Sequence, residues 1–132
     1  MSQPPHAEPS PPGLDIVRHV VAGTVVISVV GDVDTDTAPA LHAAAVSAID
    51  DTTGEDCILD LTEVSFLNST GLTALVEATG RAEARREPLR IVVDSNRPVI
   101  RPIELTGLDQ LLRLYHTVEE ALTAGNQSHH KS

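Results

Sequence analysis

Two short clusters in this sequence hold the residues whose types and spacing could do chemistry. Asp32-Val33-Asp34-Thr35-Asp36 follows the β-branched run Thr24-Val25-Val26-Ile27-Ser28-Val29-Val30, and Asn68-Ser69-Thr70-Gly71 follows the apolar stretch Val64-Ser65-Phe66-Leu67. Three carboxylates at alternate positions can open a calcium loop, which also needs Gly at its sixth position and Glu at its twelfth. Thr37 and Ala43 stand there instead. The calcium reading fails. An aspartate pair after a strand can also serve phosphoryl transfer, but that chemistry uses a downstream lysine, and the only lysine is Lys131 near the C-terminus. An acidic strand-to-helix turn remains, with Asp34 able to cap the helix.

Ser69 is a small hydroxyl at the start of a helix. The residues leave two readings open: Ser69 or Thr70 is an N-cap, or Ser69 is a group on which something acts. A catalytic triad would need two partners that nothing in the sequence supplies. There is no Gly-x-x-x-x-Gly-Lys phosphate loop and no Gly-x-Ser-x-Gly elbow. No cofactor is implied, and no enzyme. The single cysteine, Cys57, lies within an apolar run, so it reads as a small core residue and allows neither an intramolecular disulfide nor a zinc cluster. His129 and His130 read as solvated residues rather than metal ligands.

The elements that must carry these clusters alternate. Residues 14 to 20 and 23 to 30 are strand-like runs separated by Ala22-Gly23, the pattern of a hairpin. Ala38, Leu41, Ala45 and Ile49 recur at helical spacing, with Thr35 or Thr37 available as N-cap. Cys57 to Leu61 reads as a covered strand, and Leu72, Leu75, Val76 and Thr79 as the buried stripe of a second helix. Leu89 to Val93 is a further strand. A short helix after Ser95 and Asn96 is expected to be irregular because Pro102 lacks a donor, and Gly107 ends it. Leu111 to Tyr115 forms a last short strand, and Thr117 and Glu120 supply a capping box for the final helix. The fold class is therefore α/β, a mixed four- to five-stranded sheet with helices following the strands. Asp34 and Ser69 should emerge at one edge of it.

Composition limits the partners. The chain has 132 residues, 41% of them hydrophobic, enough for one domain, expected at residues 13–124. Residues 1–12, with five prolines, and residues 125–132 are expected to be disordered tails. With no Trp, one Phe and one Tyr, the core must be aliphatic. A formal net charge of −10 argues against nucleic acid as a partner. A basic apolar leader and a membrane-length run are both missing, so the expectation is a cytoplasmic protein with no membrane association.

The segment Val64 to Val76, with Asn68-Ser69-Thr70-Gly71-Leu72 at its centre, resembles the signature of STAS domains, in which Asp-Ser-Ser-Gly or Asp-Ser-Thr-Gly precedes a helix beginning with Leu. Gly31-Asp32-Val33-Asp34 with Thr37-Ala38-Pro39-Ala40-Leu41 is similar to the family's first turn and helix. The stretch from Arg97 through Ile103-Glu104-Leu105-Thr106-Gly107-Leu108-Asp109 to Glu119-Glu120-Ala121-Leu122 is similar to its closing elements. A short chain carrying this serine resembles the anti-sigma-factor antagonists of bacteria, and the preference for Arg over Lys fits an actinobacterial source. The resemblance implies a STAS fold and a non-enzymatic partner switch. The unphosphorylated form binds an anti-sigma factor that is also a serine protein kinase and releases the sigma factor; phosphorylation of Ser69 ends binding, and a phosphatase resets it. It implies partner contacts at Asp34, Asn68, Ser69, Thr70 and Gly71. Other roles within the family are a subunit of a stressosome or lipid-transport complex, or a nucleotide-binding protein. Asn68 departs from the family's usual Asp, keeping its hydrogen-bonding shape without its charge.

Overall fold

The computed structural model describes residues 6–7, 11–52 and 56–130. Its sheet begins with a two-residue strand, β1 (His6–Ala7), antiparallel to Arg18 and Val17 of β2 (Leu14–Val21). The chain then turns into β3 (Thr24–Val33) through Ala22 and Gly23, whose φ angles are 52° and 82°. Two successive left-handed residues make the tight turn whose twist matches the paired strands, so the hairpin forms where the sequence places it.

From β3 onward each strand is followed by a helix. The order is α1 (Ala38–Asp51), β4 (Cys57–Leu67), α2 (Ser69–Ala84), β5 (Leu89–Val92), α3 (Arg97–Leu105), a 3-10 turn at Leu108–Gln110, β6 (Arg113–Tyr115) and α4 (Val118–His130). The strands lie in sequence order, antiparallel from β1 to β3 and parallel from β3 to β6. This is a mixed sheet of five full strands with a short sixth at its edge, in an α/β arrangement.

Helices α1, α2 and α3 cover one face. Leu41, Ala45 and Ile49 of α1, Leu75 and Ala78 of α2, and Val99 and Ile103 of α3 meet Ile16, Ile27, Leu59 and Ile91 of the strands in one aliphatic core. Cys57 belongs to it, and burial pushes its thiol up to about 12, the state of a packed side chain rather than a nucleophile. Helix α4 covers the other face at β4, β5, β6 and the start of β3, where Ala121 packs with Val26, Ile58 and Val92, and Tyr115 and Val118 flank them. Arg90, the one buried charged residue among those described, pairs with Asp56 at the end of the sheet away from α2's start.

Strand β4 runs six residues past the expected Leu61, and the register explains why alternation hid it. Ser28 pairs with Asp60 but Val30 with Glu63, and Gly31 pairs with Val64 but Asp32 with Phe66. Two extra residues on β4 make two bulges, so its inward side chains are Leu59, Leu61, Val64 and Leu67, spaced by two, three and three. Asp60 accepts hydrogen bonds from the Thr62 amide (3.0 Å) and hydroxyl (2.8 Å) across the first bulge. Strand β5 reaches only as far as Asp60, and beyond it the Asn96 amide group donates to the carbonyls of Leu61 and Val64, both at 2.8 Å. One side chain thus replaces a missing strand's donors and ties the start of α3 to β4.

Three further differences concern boundaries. Helix α3 is regular over nine residues despite Pro102, because fully buried Val99 and Ile103, one turn apart, hold it to the core. The last strand is shorter than residues 111–115, since Leu108–Gln110 winds into a 3-10 turn first. Secondary structure also enters both expected tails: His6–Ala7 pairs with β2, and α4 continues through His130. The start of α4 is held as expected, with the Glu120 amide donating to Thr117 Oγ1 (3.0 Å) and the Glu120 carboxylate accepting from the His116 amide (2.8 Å). The other tail positions, residues 1–5, 8–10, 131 and 132, lie outside the described residues.

Candidate functional site

The acidic turn and the hydroxyl turn leave the sheet side by side because β3 and β4 are neighbouring parallel strands. Val33 pairs with Leu67 as the last rung, and the Asn68 amide donates to the Val33 carbonyl at 3.2 Å. The turns are then joined by their own side chains, with Thr35 Oγ1 and Thr70 Oγ1 3.3 Å apart. Sequence reasoning placed the turns together but missed this hydroxyl bridge.

Asn68, not Ser69 or Thr70, is the N-cap of α2. Its backbone is extended (φ −102°, ψ −173°) and its Oδ1 accepts from the Gly71 amide at 3.0 Å. Ser69 is the first helical residue and is exposed. Its hydroxyl is therefore not used as the helix cap. Replacing the cap should leave Ser69 in place and weaken the helix end: Asn68→Ala is expected to lower stability by about 1 kcal/mol and Asn68→Asp to restore it, read from urea unfolding midpoints.

Gly71 is buried, and its contribution to the site is spatial. A Cβ there would stand 2.6 Å from Leu67 Cδ1 and 2.7 Å from Val33 Cγ1. Only a residue without a side chain lets the first turn of α2 sit against the strand ends. The carboxylate of Asp34 is likewise engaged within its own turn. Its Oδ1 accepts from the amides of Asp36 (2.9 Å) and Thr37 (3.1 Å) and from the Thr37 hydroxyl (3.2 Å), which also reaches the Asp32 carbonyl at 2.8 Å. Thr37 is the first flanking residue of α1, yet its hydroxyl serves the turn rather than the helix amides. Asp34 thus braces the loop that faces α2, while Asp32 and Asp36 stay exposed beside it.

Ser69 opens onto an apolar groove of about 330 Å³ formed with Leu72, Thr73, Val76, Thr106 and Leu108, between α2 and the end of α3. A second groove, between α1 and α2, is lined by Pro39, His42, Thr70, Thr73 and Glu77, with His42 Nε2 3.5 Å from Glu77 Oε1. Among the described residues no histidine or carboxylate is hydrogen bonded to Ser69, and no group of three His, Cys, Asp or Glu side chains could hold a metal ion. The arrangement presents a hydroxyl on a helix start, flanked by shallow surfaces. Such a surface suits recognition by another protein and acceptance of a group from it.

Comparison with known proteins places the chain among relatives of shared sequence and fold. The protein is 36% identical over 101 residues to the anti-sigma-F factor antagonist RsfB of Mycobacterium tuberculosis, a match covering 76% of this chain and 80% of that protein. The crystal structure of an anti-sigma factor antagonist from Mycobacterium paratuberculosis superposes with a TM-score of 0.78 at 34% identity, covering 89% of this chain and 99% of that one. The anti-sigma factor antagonist SpoIIAA of Bacillus, in its unphosphorylated form, shares the fold at 23% identity and a TM-score of 0.65, covering 81% of this chain and 92% of that one. The STAS domain family profile matches residues 15–121, which take in β2 from its second residue, all of β3 to β6, the two joined turns and the capped start of α2. By both its sequence and its fold, this chain belongs to the STAS domain family.

Proposed function

We propose that this protein is an anti-sigma-factor antagonist. In this reading its unphosphorylated form binds an anti-sigma factor that is also a serine kinase, and so releases the sigma factor. Phosphorylation of Ser69 switches binding off, and a phosphatase resets it. The observation that carries the reading is the division of roles between Asn68, which caps α2, and Ser69, which stands exposed as its first residue. The identity to RsfB, an anti-sigma-F factor antagonist by name, supports it over three quarters of the chain.

Residues 13–124 are the binding module, and its activity is regulatory rather than enzymatic. Asn68, Ser69 and Thr70 meet the partner directly. Asp34 and Gly71 hold the surface in shape, one by bracing the acidic turn and the other by letting α2 approach the strands. No described helix is long and apolar enough to cross a membrane. The reading places the protein in the cytoplasm, beside a sigma factor and its inhibitor.

The test is phosphate mapping. Incubated with the anti-sigma kinase that it captures from its native cell, and with ATP, the protein should gain one phosphate, on the peptide containing Ser69. Ser69→Ala should gain none. Phosphate on another residue, or capture of no kinase, would overturn the proposal.

A further inference from the structure

We propose that the open sheet face behind the Ser69 edge is a second docking surface, which takes a basic amphipathic segment of a protein partner. Helices α1 to α3 bury one face of the sheet, and α4 covers the other at β4, β5 and β6 and at the Val26 end of β3. Among the described residues, nothing covers the ends of β2, β3 and β4 nearest the acidic turn on that second face. Asp15 pairs with Val30, Val30 with Glu63, and Asp32 with Phe66. Directly paired residues on adjacent strands share a face, so these five side chains form one patch.

The patch is apolar at its centre and acidic at its rim. Val30 is 41% and Phe66 49% exposed, two of the four large hydrophobic residues that stand so far out among those described. Phe66 is also the chain's one phenylalanine. The bulges of β4 put it there, since they turn Val64 and Leu67 inward on either side of it. Asp15, Asp32 and Glu63 are all exposed. Basic side chains are missing from these five positions.

Charge selects the occupant. Nucleic acid and the anionic surface of a membrane would be repelled by three carboxylates on a chain of net charge −10. A second copy would bring the same acidic rim to the same face, and like charges across an interface oppose pairing. A peptide segment with Arg or Lys flanking apolar anchors complements both parts: its cations meet the rim, and an Arg can also lie on the Phe66 ring. This surface faces away from the α2–α3 groove and does not require phosphorylation of Ser69, so it stands apart from the function proposed above.

The experiment is a titration of the isotopically labelled full chain with a synthetic amphipathic peptide of Arg and Leu, followed by amide chemical shifts. A Glu and Leu peptide of the same apolar pattern is the control. The Arg peptide should shift the amides of Val30, Asp32, Glu63 and Phe66 first, and the Glu peptide should shift none. The double variant Asp15→Lys/Glu63→Lys should weaken binding at least tenfold, and Phe66→Ala several-fold, as expected for loss of complementary charge and of an anchor. Glu104→Lys, at an exposed position of α3, should leave it unchanged. Melting curves check that each variant folds, and the charge variants alone suffice should Phe66→Ala unfold. Shifts spread over the whole acidic surface, equal weakening by Glu104→Lys, binding of the Glu peptide, or self-association through the same amides would each overturn the proposal.

Discussion

Ser69→Glu is expected to bind the anti-sigma partner at least roughly 100-fold more weakly than the wild-type protein, corresponding to about 3 kcal/mol. Ser69→Ala should bind as tightly as wild type while accepting no phosphate. A phosphoserine adds about −1.5 to −2 charges near neutral pH. On the folded domain the group is well tolerated: it sits at a helix N-terminus, where the dipole favours anions, and the cap uses the Gly71 amide while leaving those of Ser69 and Thr70. Within an interface the same charge must be desolvated beside exposed Asp36 and the braced Asp34, against a partner shaped around a small hydroxyl. The effect is therefore on binding, not folding. Calorimetric titration of each variant with the kinase, after circular dichroism has shown unchanged folding, measures it. A Ser69→Glu variant that binds within a few-fold of wild type would refute the switch. Uptake of phosphate by Ser69→Ala would move the acceptor, with Thr70, held 3.3 Å from Thr35, the first position to test.

The largest stability loss is expected from Gly31→Ala, at about 3–5 kcal/mol. Gly31 has φ +121°, and an added Cβ would lie 2.1 Å from the Gly13 carbonyl oxygen. That oxygen accepts from the Asp32 amide at 3.0 Å, so it cannot retreat without freeing the residue that leads into the acidic turn. Backbone strain and backbone collision act together here. Gly71→Ala should cost less, about 1–3 kcal/mol, because its nearest neighbour is the tip of Leu67 and a side chain can turn aside. Gly107→Ala meets nothing within 4 Å and should cost about 1 kcal/mol, for its φ of +73° alone. Urea unfolding of the three variants tests the order. A Gly31→Ala protein as stable as Gly107→Ala would show that the approach of Gly13 to β3 is not a constraint.

Much of this arrangement was legible in the residues because it rests on periodicity. Leu41, Ala45 and Ile49 recur at helical spacing and are buried, and Ala22-Gly23 interrupts two β-branched runs where two left-handed residues turn the hairpin. The neighbouring positions of the Asp34 and Ser69 turns followed from the order of alternating strands and helices. What was not legible depends on single hydrogen bonds between distant segments. Asn96 bonds to carbonyls 32 and 35 residues away, and no local pattern announces it. Ser69 or Thr70 reads as the cap of α2 in sequence, one or two residues after the true one, because Asn68, Ser69 and Thr70 are all competent caps and only backbone geometry chooses among them. The Asp34 carboxylate looked available in sequence, and the fold turns Oδ1 onto its own loop.

The two bulges of β4 also constrain how the length of this strand can change. Deleting one residue between Leu61 and Val64 would remove the extra residue of the first bulge and leave Leu61 and Val64 two apart, so Val64, Phe66 and Leu67 would keep their faces and their partners on β3. Deleting a residue within the regular ladder from Cys57 to Asp60, which has no extra residue to give up, would instead turn the residues on one side of the cut to the opposite face. Removing Ser65, at the other bulge, would likewise keep the phase, leaving a straighter strand shortened at both places. Deletions at the bulges and deletions in the regular ladder should therefore have opposite fates, a contrast set by the alternation of a β-strand.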